Sequence, residues 1–160
     1  MALRICLVTP HAWSVPHDTN EHVAGVADAL RARGHSVVVL APSSRSADLL
    51  AGRRALQTGV LEGVVAVSRA VPVSPRSAVG IPIGVRASVA TALGRGAFDV
   101  VHGFDPGVPG LSYVALLEAA RSLGEVVSVL NLPSDSPAAT ALAALGGTAD
   151  VRQHEMVLRL

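Results

Sequence analysis

Lysine is absent from this chain of 160 residues, and all 13 cationic side chains are arginine. Aromatic residues make up only 2% of the sequence, cysteine occurs once, and no apolar run approaches the ~20 residues needed to span a bilayer. Each scarcity excludes something. A net charge of +1 argues against a globally basic nucleic-acid binder. Trp13, Phe98, Phe104 and Tyr113 are too few and too scattered to form a stacking platform for single strands. One cysteine, Cys6, allows neither a disulfide framework nor a cysteine zinc site. The apolar stretch Ile5-Cys6-Leu7-Val8 is too short for a signal peptide and runs directly into Thr9-Pro10. These features together lead us to expect a reduced, cytoplasmic globular domain.

What is present is apolar mass built from alanine, valine and leucine. Hydrophobic residues reach 50% of the chain, and ~150 residues can bury roughly 70% of their unfolded surface, so a core is affordable without metal or disulfide. Short β-branched runs alternate with helical periodicity, the pattern of a parallel sheet covered on both faces. Leu3 to Thr9 reads as a strand buried on both sides. Val23, Val26, Ala27 and Leu30 recur at helical spacing, and Gly34 stops that helix at its C′ position. Ser36 to Leu40 is the second strand. Residues 46–57 form a short helix, Gly63 to Val67 a third strand, and 69–84, with three prolines, a loop. A helix on Val85, Val89, Ala92 and Leu93 follows. Phe98 to His102 is a fourth strand, Gly110 to Ser122 a helix and Val126 to Leu130 a fifth strand, before an alanine-rich helix near 138–145.

Charge is unevenly spread. Residues 41–96 hold seven arginines against Asp48 and Glu62, whereas 97–160 hold three arginines against seven acids. Arg45, Arg53, Arg54, Arg76 and Arg86 are either solvated faces of separate elements or a basic rim for an anionic substrate or lipid surface.

Two stretches carry a resemblance. "LRICLVTPHAWSVPHDTNEHVAGVADALRARGHSVVVLAP" and "FDVVHGFDPGVPGLSYVALLEAARSLGEVVSVLN" resemble the N-terminal domain of family 4 glycosyltransferases of the GT-B fold. Within that family the likeness is greatest to the actinobacterial phosphatidylinositol mannosyltransferase group. The resemblance covers roughly residues 3–137. It implies an α/β, three-layer Rossmann-like domain with a parallel twisted sheet over residues 1–150, followed by a truncated segment, 151–160. It further implies a retaining enzyme whose N-terminal half binds the acceptor, while a second half, absent from this sequence, binds the nucleotide-sugar donor. The chain is then expected to be a fragment, an isolated domain or a truncated product, inactive alone. Its partners would be the donor, a small-molecule or lipid acceptor and the missing domain. No nucleic acid, cofactor or metal is implied. Peripheral contact with the inner face of the plasma membrane would run through Arg45, Arg53 and Arg54.

The departures from the family pattern locate the candidate site. A Gly-Gly pair usual after the first strand, where backbone N–H groups approach a diphosphate, is replaced by His17 and Asp18. Asp18 stands three residues before Glu21 and is expected to cap the following helix near Asn20. A histidine that the family carries after the fifth strand is matched by Asn131, the candidate catalytic position. His17, Asp18, Asn20, His22, His102 and Asp105 are the candidate substrate-binding residues. His102 could equally be structural, and Asp105 a turn-former, although it sits where ligands bind beyond a strand's carboxyl end.

Alternative chemistries lack their motifs. His11, His17 and His22 match none of the standard zinc spacings. No Gly-x-Gly-x-x-Gly follows the first strand, and Ala41-Pro42 replaces the acid that would end the second. No Gly-x-Ser-x-Gly elbow or P-loop occurs. The remaining alternative is a catalytically degenerate, non-enzymatic domain acting as an interaction partner.

Overall fold

The computed structural model describes residues 1–74, 77–80, 85–105, 110–122 and 137–144. Among the described residues, five strands and five helices follow in chain order: β1 (Arg4–Val8), α1 (Asp18–Ala32), β2 (Ser36–Ser43), α2 (Ser46–Thr58), β3 (Gly63–Ser74), β4 (Ser77–Gly80), α3 (Val85–Gly96), β5 (Val100–Gly103), α4 (Leu111–Ser122) and α5 (Pro137–Ala144). The strands form one sheet in the order β4-β3-β2-β1-β5. β1, β2, β3 and β5 are mutually parallel, with Ile5 opposite Val37 on one side and Val100 on the other.

The apolar runs explain the layering. Alternate residues of one strand point to opposite faces, so a strand apolar at every position must be covered twice. Cys6, Val8, Val38 and Leu40 point to one face, where Val85, Val89 and Leu93 of α3 and Leu111 and Ala115 of α4 cover them. Ile5, Leu7, Val37 and Val39 point to the other, against Val23 and Ala27 of α1. The result is the expected three-layer α/β domain, entered at an inner strand. Cys6 is fully buried in this arrangement, and burial pushes its thiol pKa up to about 12.

Two glycines have definite tasks. Gly34, at φ 87°, follows α1, where its N–H donates to Arg31 and that of His35 to Leu30, a Schellman closure. Gly52 lies where α2 meets β3, and a Cβ there would run into the carbonyl of Ala66.

One expectation is overturned. Residues 69–84 are not all loop, because β3 runs on to Ser74 and turns back into β4, which pairs antiparallel with it. Pro72 is accommodated because this pairing is at the sheet's edge and its register shifts between Pro72 and Ser74. The expected strand Val126–Leu130 lies outside the described residues. So do Asn131 and the segment 151–160.

Candidate functional site

β1 is flanked by β2 on one side and β5 on the other, so the chain leaves the carboxyl ends of β1 and β5 in different directions. Such a switch point opens a crevice in which α/β domains bind ligands. Here the crevice is built from the loop after β1, the first turn of α1 and the two residues after β5.

The loop after β1 is held by its own polar atoms. Asn20 is buried; its Nδ2 donates to the Ala12 carbonyl at 3.0 Å, and its Oδ1 accepts from Thr9 Oγ1 at 2.8 Å. Thr9 Oγ1 in turn accepts from the His11 N–H at 3.3 Å. Asn20 is thereby a brace inside the loop, with both ends of its amide engaged. On the outer side, Ser44 N–H donates to Ser14 Oγ at 2.9 Å and ties this loop to the one after β2.

The start of α1 corrects the expected cap. The helix begins at Asp18, and the residue before it, His17, is extended at φ −156° and accepts the Thr19 N–H on Nδ1 at 3.2 Å. Asp18 is exposed and already helical, so its carboxylate does not occupy the capping position. An aspartate one residue too late favours the helix through charge, not through the cap hydrogen bond.

A carboxylate does reach this helix end, from the far side of the crevice. Asp105, two residues beyond β5 and at φ 47°, accepts on Oδ2 from Thr19 Oγ1 and from His11 Nε2, both at 2.9 Å. The left-handed backbone at Asp105 is a conformation aspartate tolerates better than most residues do. The His11 ring lies parallel to that of His17, with centroids 3.6 Å apart. Burial is the main influence on His11 and His17 adds to it; Asp105 opposes both, and the net result is a lowered pKa. His11 is therefore neutral at pH 7. With Nε2 donating to a carboxylate, its Nδ1 is left as an acceptor, and that buried atom has no hydrogen-bond partner among the described residues.

Phe104 anchors the other wall. Its N–H donates to the Val8 carbonyl at 2.8 Å, prolonging the β1–β5 pairing, and His102 stacks on its ring at 4.5 Å while His22 meets it edge-on at 5.9 Å. Desolvation, then the neighbouring His22, lowers the His102 pKa. Both histidines remain exposed as residues.

The structure thus places His17, Asp18, Asn20 and His22 at the start of α1 and His102 and Asp105 at the end of β5 and just beyond it, with Asn20 turned inward as a brace. His11 and Thr19, absent from the expected substrate-binding set, turn out to be the partners of Asp105. His11 could have been found from its position, since it lies just past the carboxyl end of the first strand. Among the described residues no group of three or more His, Cys, Asp or Glu side chains is placed to hold a metal ion.

Of the five rim arginines, Arg45, Arg53 and Arg54 are exposed at the start and on the outside of α2. Arg86 instead pairs with Glu118 at 2.5 Å and links α3 to α4. Arg76 lies outside the described residues. Among the described residues no helix is long and apolar enough to cross a membrane.

The family model for Glycosyltransferase Family 4 matches residues 19–129. The chain belongs to this family. The family 4 domain is similar to phosphatidyl-myo-inositol mannosyltransferases, being 34% identical to one from Propionibacterium freudenreichii subsp. shermanii over 118 residues, which is 71% of this chain and 30% of the relative. It is 36% identical over 118 residues to one from Mycobacterium tuberculosis, 71% of this chain and 28% of the relative. A third, from Mycobacterium leprae, is 34% identical over 117 residues, again 71% and 28%. The family 4 domain therefore spans less than a third of the length of these relatives. Because they are named as transferases, they lend the non-enzymatic alternative no support.

Proposed function

We propose that this domain, residues 1–150, is the acceptor-binding half of a retaining glycosyltransferase that moves a sugar from a nucleotide-sugar donor to a polyol-bearing acceptor. The observation carrying this reading is the crevice at the β1–β5 switch point, walled by the His11–Asp105–Thr19 cluster on one side and Phe104 with its two histidines on the other. The names of the relatives suggest a phosphatidyl-myo-inositol-like lipid as acceptor. A second domain would bring the donor to the open side of the crevice, and Asn131 would stand near the reacting atoms, at the family's histidine position. His17, His22, His102 and Asp105 would contact the acceptor, and Asp18, exposed beside them, would repel a diphosphate from the helix end. The domain alone would not transfer sugar.

Titration calorimetry tests this directly. The isolated domain is expected to bind myo-inositol or an inositol phosphate and to ignore nucleotide sugars. Tight binding of a nucleotide sugar without measurable binding of the polyol would overturn the assignment.

Arg45, Arg53 and Arg54 fit a peripheral contact on an anionic, cytoplasmic membrane face, where each cation near the surface adds about 1 kcal/mol. Co-sedimentation with anionic vesicles should then weaken for Arg53→Ala with Arg54→Ala; unchanged sedimentation removes the contact.

A further inference from the structure

One imidazole joins three elements at the crevice. His11 follows the end of β1, donates from Nε2 to Asp105 beyond β5 at 2.9 Å, and lies parallel to the His17 ring at the start of α1, 3.6 Å between centroids. The rest of its loop is fastened elsewhere. The Trp13 N–H donates to the Pro42 carbonyl at 2.9 Å, the Ser44 N–H to Ser14 Oγ at 2.9 Å, and Asn20 Nδ2 to the Ala12 carbonyl at 3.0 Å. Those ties run to β2, to the residue after it and to α1. Among the described residues, His11 makes the loop's one side-chain hydrogen bond to the segment after β5.

This setting suits a neutral ring and not a cation. His11 is 8% exposed, and its Nδ1 has no hydrogen-bond partner among the described residues, so a proton added there is enclosed without an acceptor. The titratable groups acting on the ring are His17 from the α1 side, which disfavours the cation, and Asp105 from the β5 side, which favours it. The Asp105 side chain is 44% exposed, and water weakens its pull. We propose that His11 is an acid-operated latch: neutral, it fastens the loop after β1 to the segment after β5; protonated, it swings into water and frees that edge of the loop. Acid shifts such an equilibrium only through a difference in proton affinity between the two states. The enclosed ring takes a proton less readily than a solvated one, so acid favours the released loop. The latch therefore holds above the ordinary imidazole pKa of about 6.5 and gives way as pH falls below it. Release is local, because the ties of Trp13, Ser14 and Asn20 use groups that do not titrate in this range. The device is independent of what the crevice binds, so it stands or falls apart from the acceptor-half reading.

Trp13, the chain's single tryptophan, reports on this loop. It lies two residues from His11 and packs on the same apolar cluster as Phe104, the residue before Asp105. Acrylamide quenching of its fluorescence, followed between pH 7.5 and 5 with far-UV circular dichroism alongside, tests the latch. Quencher access is expected to rise below pH ~6.5 while the helical signal stays unchanged. His11→Gln, whose amide can still donate to Asp105 but does not titrate, should lose the rise. His11→Phe serves if the glutamine variant fails to fold, and it too should show access independent of pH. His102→Gln should keep the rise. Constant access in the native chain overturns the latch, as does a rise that persists in the His11 variants or disappears in His102→Gln. A rise that coincides with loss of the helical signal marks unfolding of the whole domain and overturns local release.

Discussion

The imidazoles of His11 and His17 lie face to face, 3.6 Å between centroids and 15° between planes, although one ends the path out of β1 and the other caps α1. Two such rings resist being charged together. His17 also accepts the Thr19 N–H on Nδ1, so the pair ties the loop after β1 to the first turn of α1.

The first prediction concerns that acid sensitivity. The His11 pKa is lowered in the folded chain, so above the ordinary imidazole pKa of about 6.5 both folded and unfolded states are neutral there and nothing is lost. As pH falls through that value the unfolded state takes up the proton first, and stability declines until the folded pKa is passed. His102, also lowered, acts in the same direction. Urea midpoints between pH 7.5 and 5 should therefore fall, and His11→Phe should flatten the slope. A slope unchanged by His11→Phe would assign the whole effect elsewhere.

The cap can be tested by two substitutions one residue apart. His17→Ala should cost about 1 kcal/mol, as the loss of a helix cap does, while Asp18→Ala should cost only the few tenths to 1 kcal/mol of a charge at the first turn. Thermal unfolding of both variants at pH 7.5 checks the order. A larger loss for Asp18→Ala would restore the carboxylate as the cap.

Asp105 combines a left-handed backbone with two side-chain hydrogen bonds. Asp105→Ala should lose about 2–3 kcal/mol, since alanine meets the left-handed penalty and leaves Thr19 and His11 without their acceptor. Asp105→Asn should lose less, because asparagine tolerates that backbone. It should also depress the His11 pKa further by removing the carboxylate that opposes burial, a change that proton NMR of the imidazole would follow. A rise in that pKa would contradict the placement of Asp105.

At Gly52 the usual helix preference is inverted. Alanine stabilises an ordinary helix interior by roughly 1 kcal/mol over glycine. Here its methyl would meet the Ala66 carbonyl, which belongs to a strand and cannot move aside freely. Gly52→Ala should destabilise by about 1–3 kcal/mol, the range for overpacked contacts. Gly25→Ala, where nothing lies near the added carbon, is the control and should be neutral or stabilising. Equal effects at the two sites would mean that α2 does not rest on β3.

The strands and helices that pack through local periodicity were legible from residues alone. β1 and β2 declared themselves by the unbroken apolar runs Ile5 to Val8 and Val37 to Leu40, and α1 by its spacing and its terminal Gly34. The hairpin of β3 and β4 was not legible, because Pro72 and Pro75 read as chain breakers and only an edge position with a shifted register accommodates a proline there. The site divides similarly. The region after β1 and β5 followed from the family likeness and the switch-point rule, but the choice between His17 and Asp18 as cap turned on a one-residue difference in where α1 begins. The pairing of Asp105 with Thr19 spans 86 positions in the chain and leaves no local trace.

Cys6 gives the fold a built-in clock. Disulfide exchange and alkylation proceed through the thiolate, and a thiol pushed up to about 12 on a strand enclosed by both helical layers offers almost none. Reagent can reach this sulfur when β1 parts from its neighbours, an event that disrupts the centre of the sheet. The rate at which a thiol reagent labels the native chain therefore counts openings of the whole domain, one thiol per molecule, with no engineered probe.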